Sequence, residues 1–193
     1  MVSAKTSLKF RKAHRYLGLF LGIQFLFWTI SGLYFSWTNL DEIHGDQFKK
    51  NKVQKEYKNL ISPSDLDYKD GIKTISLRDF NNVPYYWINS ELLVNALNGS
   101  VKDSITKQEA ISISNENILD KYKISLVEKI YQVGNHHEYR GRPLPAFVIS
   151  YEGTENLKSY VSALDGQFQT VRHRDWRWFD FLWMTHTMDY ETR

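Results

Sequence analysis

From Tyr16 to Trp37 the sequence reads YLGLFLGIQFLFWTISGLYFSW, without one charged side chain. As a helix rising ~1.5 Å per residue, this stretch reaches ~33 Å. It can therefore cross a hydrocarbon core of ~30 Å with its backbone groups bonded internally. Lys5, Lys9, Arg11, Lys12 and Arg15 precede it. A basic start and an apolar run also describe a secretory signal, but the apolar part of a signal spans only ~7–15 residues and ends in a small-x-small cleavage site. This run is longer and leaves through Phe35, Ser36, Trp37 and Thr38, with Tyr16, Tyr34 and Trp37 placed for interfacial aromatic belts. The reading is a retained transmembrane helix over 16–38, with the lipid bilayer as its first partner. After it, Thr38 to Lys52 mixes Lys49, Lys50 and Lys52 with Asp41, Glu42 and Asp46. The bias of positive charge predicts a cytoplasmic segment 1–15 and an extracytoplasmic body.

Charged residues make up 24% of the chain, and the mean hydropathy is −0.48 despite the apolar run. One anchored globular domain of ~150 residues fits these values better than a polytopic channel. Net charge is only +3 and the basic residues gather at the N-terminus, so no nucleic-acid partner is expected. With no cysteine, disulfides, thiolate metal sites and cysteine nucleophiles are excluded. The sequence has no phosphate-cradling Gly-Lys loop, dinucleotide fingerprint, His-Glu-x-x-His or Gly-x-Ser-x-Gly. No intrinsic catalytic motif is present, which leaves enzyme activity open.

Within the apolar run, Gly18, Gly22, Thr29, Gly32 and Ser36, with Phe25 among them, recur at spacings of three and four and share one face. Small residues on one stripe let another helix approach closely, and Gly18 and Gly22 form a GxxxG pair. The stripe predicts other transmembrane helices as partners, although glycine is also simply frequent in membrane helices. His14 lies one turn before Gly18 on the same stripe, and Gln24 sits off it.

Residues 39–60 read as a connector. Val83 to Val101 and Leu144 to Phe168 then repeat one pattern, closest at Val94 to Gly99 and Val161 to Gly166. Asn98-Gly99 and Asp165-Gly166 supply tight turns, so two related β-rich units are expected. Thr106 and Glu109 have capping-box spacing ahead of Ala110, Ile111 and Ile113, predicting a helix there. Ser62-Pro63 offers a shorter helical start, Lys123 to Val133 a strand, and Gly134 to Arg142 a loop. The fold class is α+β with antiparallel sheet over 61–172.

Three stretches carry a family likeness. His14-Arg15-Tyr16-Leu17-Gly18-Leu19 with Thr29-Ile30-Ser31-Gly32-Leu33 comes first, then Arg142 to Phe147 through Tyr160 to Gly166, then Trp178 to His186. Together they resemble the PepSY-associated transmembrane proteins, whose extracytoplasmic part is the PepSY domain. The resemblance implies a bacterial inner-membrane location with a periplasmic domain. In one branch it also implies a reductase system of siderophore-iron uptake that carries b-type haem between membrane helices on paired histidines. The positions matching those histidines are His14 and His186. In another branch it implies regulation of a peptidase or other membrane partner, for which a sheet edge and the aromatics Tyr85, Tyr86 and Trp87 are candidates.

The end of the sequence leaves two readings open. Trp176 to Tyr190 carries aromatic anchors but also Arg177, Asp180 and Asp189 before Arg193. Residues 173–193 are either an amphipathic helix on the membrane surface, with Trp176, Phe179 and Trp183 on one face, or the opening of a second transmembrane helix in a longer chain or multi-subunit system. His14 and His186 should lie ~30 Å apart along the membrane normal, too far to share one haem. Asp41, Glu42, His44 and Asp46 form a weak metal candidate beside the commoner reading of a solvated acidic turn, and His136-His137-Glu138 reads as loop. The anchor has a direct test. The chain should sediment with membranes, resist alkaline carbonate and need detergent for release, and protease added to cells with opened outer envelopes should digest its body. Recovery as a freely soluble protein would contradict the anchor.

Overall fold

A computed structural model describes residues 4–51, 55–66, 68, 71–153 and 155–189. Helix α1 runs unbroken from Ala4 to Trp37, so the basic segment expected to precede the helix is its first turns. Among the described residues it is the one helix long and apolar enough to cross a membrane. Its apolar side chains stand bare: Phe10, Phe25 and Trp37 are exposed, and only Gln24 and Ser31 are buried. So much uncovered apolar surface on a long helix suits a lipid environment.

Beyond it the chain builds two four-stranded antiparallel sheets. The first has the order β1 (Ile75–Phe80), β2 (Val83–Ile88), β3 (Leu92–Asn95), β4 (Val101–Lys102). The second has the order β5 (Ile124–Ile130), β6 (Ala146–Tyr151), β7 (Lys158–Ser162), β8 (Phe168–Arg172). The sequence repeat reappears bond for bond. Ala96 N–H donates to the Pro84 carbonyl at 3.0 Å, as Ala163 N–H does to Pro145 at 2.9 Å. Gly99 N–H donates to Asn95 at 2.9 Å and Gly166 N–H to Ser162 at 3.1 Å, both glycines holding positive φ. Two α+β halves of one pattern result.

Strand alternation splits the aromatics between two faces. Phe80, Leu93, Phe147, Ile149 and Val161 enter one core together with Ala110 and Ile113 of α3 (Lys107–Asn117), the helix between the sheets. The capping box forms as expected, with Thr106 Oγ1 accepting from Glu109 N–H and the Glu109 carboxylate accepting from Thr106 N–H. Tyr85 and Trp87 pack against this core, while Tyr86 is buried on the opposite face and donates its hydroxyl to the Ile61 carbonyl. These three aromatics are therefore not the exposed docking residues that the sequence suggested. The far face of the second sheet holds Tyr139, Ala146, Val148 and Tyr160.

The connector is also more structured than expected. Its first part forms α2 (Leu40–Ile43) and a 3-10 turn at Asp46–Phe48, and it buries Ile43 and Phe48, while residues 52–54 lie outside the described set. Lys50 N–H and the Phe48 carbonyl bond to Asn117 and Leu119, because an apolar Phe48 has a core pocket to fill. Pro63–Asp65 is a single 3-10 turn.

The two repeat turns give a matched test. A Cβ on Gly166 would sit 3.0 Å from Phe80 Cδ1 and 3.2 Å from Ile113 Cδ1, whereas one on Gly99 meets only Ile61 at 3.7 Å. Gly99→Ala should lose about 1 kcal/mol from left-handed strain alone, and Gly166→Ala about 2–4 kcal/mol because overpacking adds to it. Denaturation midpoints in detergent measure the difference, and equal losses would contradict it.

Candidate functional site at the helix junction

Helix α4 (Arg174–Thr187) leaves β8 and lies along α1 in the opposite direction, with contacts that step from Gln24 against Thr185 to Phe35 against Phe179. The last carbonyls of any helix lack partners within it. Here α1 supplies them: Gln24 Nε2 donates to the Thr185 carbonyl at 3.0 Å and Trp28 Nε1 to the His186 carbonyl at 2.7 Å. Ser31 Oγ lies 2.7 Å from His186 Nδ1, and Phe179 and Trp183 stack on each other against Phe35. Gln24, Trp28 and Ser31 are thus polar contact residues of the apolar helix.

Ser31 sets the chemistry of His186. Its hydroxyl also lies 2.6 Å from the Phe27 carbonyl and 3.2 Å from that of Trp28; when its one proton goes to a carbonyl, its lone pair faces Nδ1 and the ring carries its own proton there. Nε2 then holds the ring's lone pair and has no hydrogen-bond partner among the described residues. An outer hydrogen bond that fixes the tautomer in this way prepares a histidine to ligate iron through its other nitrogen. Trp28 and Phe35 flank the ring, and a Cβ on Gly32 would lie 3.9 Å from Cε1.

The other sequence candidates are spread along α1. His14 is exposed and lies seventeen positions before Ser31, ~26 Å along the axis, so the fold does not bring His14 and His186 together. Gly18 and Gly22 face open space, Thr29 and Ser36 bond back to Phe25 and Leu33, and of the stripe's glycines only Gly32 borders α4. The face that packs is centred on Gln24, Trp28, Ser31 and Phe35. Their seven-residue steps are present in the sequence beside the more regular stripe of small residues. Of the acidic-turn group, Asp46 pairs with Lys49 instead, and that hydrogen bond outweighs slight burial to hold its carboxyl below the usual range. Among the described residues, the histidine and carboxylates near enough to share an ion are Glu155, His173 and Asp175.

The other side of α4 is clamped to the second sheet. Glu138, in the loop before β6, accepts from Arg177 Nε at 2.6 Å, Arg177 Nη2 at 3.1 Å and the Tyr160 hydroxyl at 2.6 Å. Burial pushes the Glu138 carboxyl up, but Arg177, Tyr160 and Lys158 together outweigh it and hold the group below the usual carboxylate range. Burial first, then the hydrogen bond to Glu138, raises the Tyr160 hydroxyl. Arg140 pairs with Asp180 at 2.6 Å. Arg172 donates to the Glu138 carbonyl and lies 3.9 Å from the Trp176 ring centre, where burial and the charge of Arg142 bring its pKa down to about 10. Trp176 is therefore held by the domain, while Phe179 and Trp183 serve α1. Between the loop and α4 runs a groove of about 790 Å³, lined by His136, His137, Lys158, Phe181 and Met184 among others.

No family model, curated protein or solved structure matches this chain. The clamp has its own test. Arg177→Ala leaves a mostly buried carboxylate without its main partner and should lower stability by about 2 kcal/mol. Because the folded-state pKa of Glu138 is depressed, its contribution is present above the unfolded value of ~4.3 and is lost as pH falls through the folded value. Acid melts should show that loss in the native chain and less of it in Arg177→Ala.

Proposed function

We propose that this protein is a membrane-anchored PepSY-type subunit of a haem-bearing electron-transfer system in the bacterial inner membrane, linked to iron or siderophore uptake. Its N-terminus would be cytoplasmic and its paired sheets periplasmic. The observation that carries this reading is His186, held by Ser31 so that Nε2 keeps a lone pair, in an aromatic pocket against the apolar helix. An imidazole of this kind could ligate the iron of a b-type haem, which would supply a one-electron redox centre when bound. His186 would hold it from α4, Ser31 would orient the ring, and Trp28 and Phe35 would keep water away. His14, on the likeness to the family's first histidine, would serve a second haem nearer the cytoplasm. Each histidine would need a partner histidine from elsewhere, so the reading includes transmembrane partners. The likeness to the PepSY-associated proteins, rather than the geometry, supplies the link to iron.

The sheet-edge reading has lost its aromatics, since Tyr86 is buried and Tyr85 and Trp87 pack inward. Reduced-minus-oxidised spectra of solubilised membranes, from cells expressing the chain in its native genetic setting, test the haem. A b-type Soret band should be present, should be lost in His186→Ala and should weaken in His14→Ala. Colourless membranes, or a band indifferent to His186→Ala, would remove the proposal.

A further inference from the structure

His173 stands where β8 passes into α4, 1% exposed, its ring 4.9 Å from that of Phe48. Nε2 lies 3.1 Å from the Ile43 carbonyl, which can only accept, so the ring proton is on Nε2. Nδ1 is then the lone-pair nitrogen, and among the described residues it is buried with no hydrogen-bond partner. It does not cap α4 either. A buried acceptor left unpaired costs about 1–3 kcal/mol, so the position calls for a ligand.

Two carboxylates stand beside it. Glu155 comes from the β6–β7 turn and Asp175 from the first turn of α4, and one ligand atom from each of the three residues lies within 4.8 Å of the others. With Nε2 engaged by Ile43, Nδ1 is the histidine's available atom. We propose that Glu155, His173 and Asp175 bind a divalent transition-metal ion of the zinc type. Nδ1 is the fixed ligand, and the carboxylates close over the ion from the solvent side. Metal–ligand bonds of ~2.0–2.2 Å need ligand atoms closer together than they stand here, and the more exposed carboxylates would supply that movement. The Nε2–H bond to a backbone carbonyl is the outer contact that orients a metal-binding imidazole and raises its basicity. One nitrogen with two carboxylates favours zinc-type ions over calcium or magnesium, which prefer oxygen alone.

Arg174 bridges the two carboxylates. Its Nε lies 3.1 Å from Asp175 and its Nη2 4.0 Å from Glu155, while its backbone N–H donates to the Glu155 carbonyl at 2.8 Å. The side chain is half exposed and can swing into solvent without releasing that backbone bond. The ion would tie together the end of α2, the β6–β7 turn and the start of α4, where both helices are mounted on the domain.

The full chain, purified in detergent without a polyhistidine tag and stripped with EDTA, is titrated with Zn²⁺ by calorimetry. Zinc retained after desalting is then measured by mass spectrometry. One equivalent should be retained and should raise the melting temperature. The Glu155→Gln/Asp175→Asn double variant, near-isosteric and checked by circular dichroism and its metal-free melt, should bind at least ~10-fold more weakly, the loss that even outer partners of a metal site can produce. His173→Gln should lose binding too, and His136→Ala/His137→Ala should keep it. No retained zinc in the native chain, undiminished binding in the carboxylate double variant, or loss in the His136/His137 variant would overturn the site.

Discussion

An apolar helix cannot leave an amide and an indole N–H on one face without partners, and in this protein α4 provides them. Gln24, Trp28 and Ser31 all reach its final turn. In apolar surroundings each unpaired group would cost more than its bond contributes in water, so this small set of contacts decides which face of α1 meets α4. The position of His186 follows from it, since its ring can sit over Gly32 only when the seam has this register.

From the other side, α4 is fixed by charge and aromatic contacts. Arg177 on Glu138, Arg140 on Asp180 and Arg172 over Trp176 fasten the helix to the far face of the second sheet. Glu138 belongs at once to a loop, a strand contact and a helix contact, which makes its loop the joint between domain and helix. The two sheets themselves are held by α3 and by crossing bonds such as Arg78 to the buried Asp165. The same turn that carries Asp165 in one half carries the exposed Asn98 in the other. The halves share a backbone pattern but only the second takes the inter-sheet contact.

Much of the fold was legible because local signals sufficed. The Thr106–Glu109 box, the two glycine turns and the charge-free run each act within a few residues. What remained hidden depended on distant pairing. Phe48 looks like linker until Leu119 and Lys50 bring its segment onto the core. Tyr85, Tyr86 and Trp87 read as a bare cluster, and only the second cover supplied by Leu60, Leu66 and Tyr68 buries Tyr86. Ser31 was read as part of a motif, with nothing to say that a histidine 155 positions later would need it. His173 carries no signal in the sequence, because its significance lies in a missing partner, which only packing reveals.

Helix α1 has no proline and is continuous from Ala4 to Trp37. Because its side chains interlock with α4, and α4 with the sheets, the helix has no freedom to spin about its own axis relative to the domain. A rotation of one residue, ~100°, would swing Gln24 and Ser31 off their acceptors. The azimuth of His14 and the basic residues around it is therefore set from the opposite end of the rod, as a key's teeth are aimed by its bow.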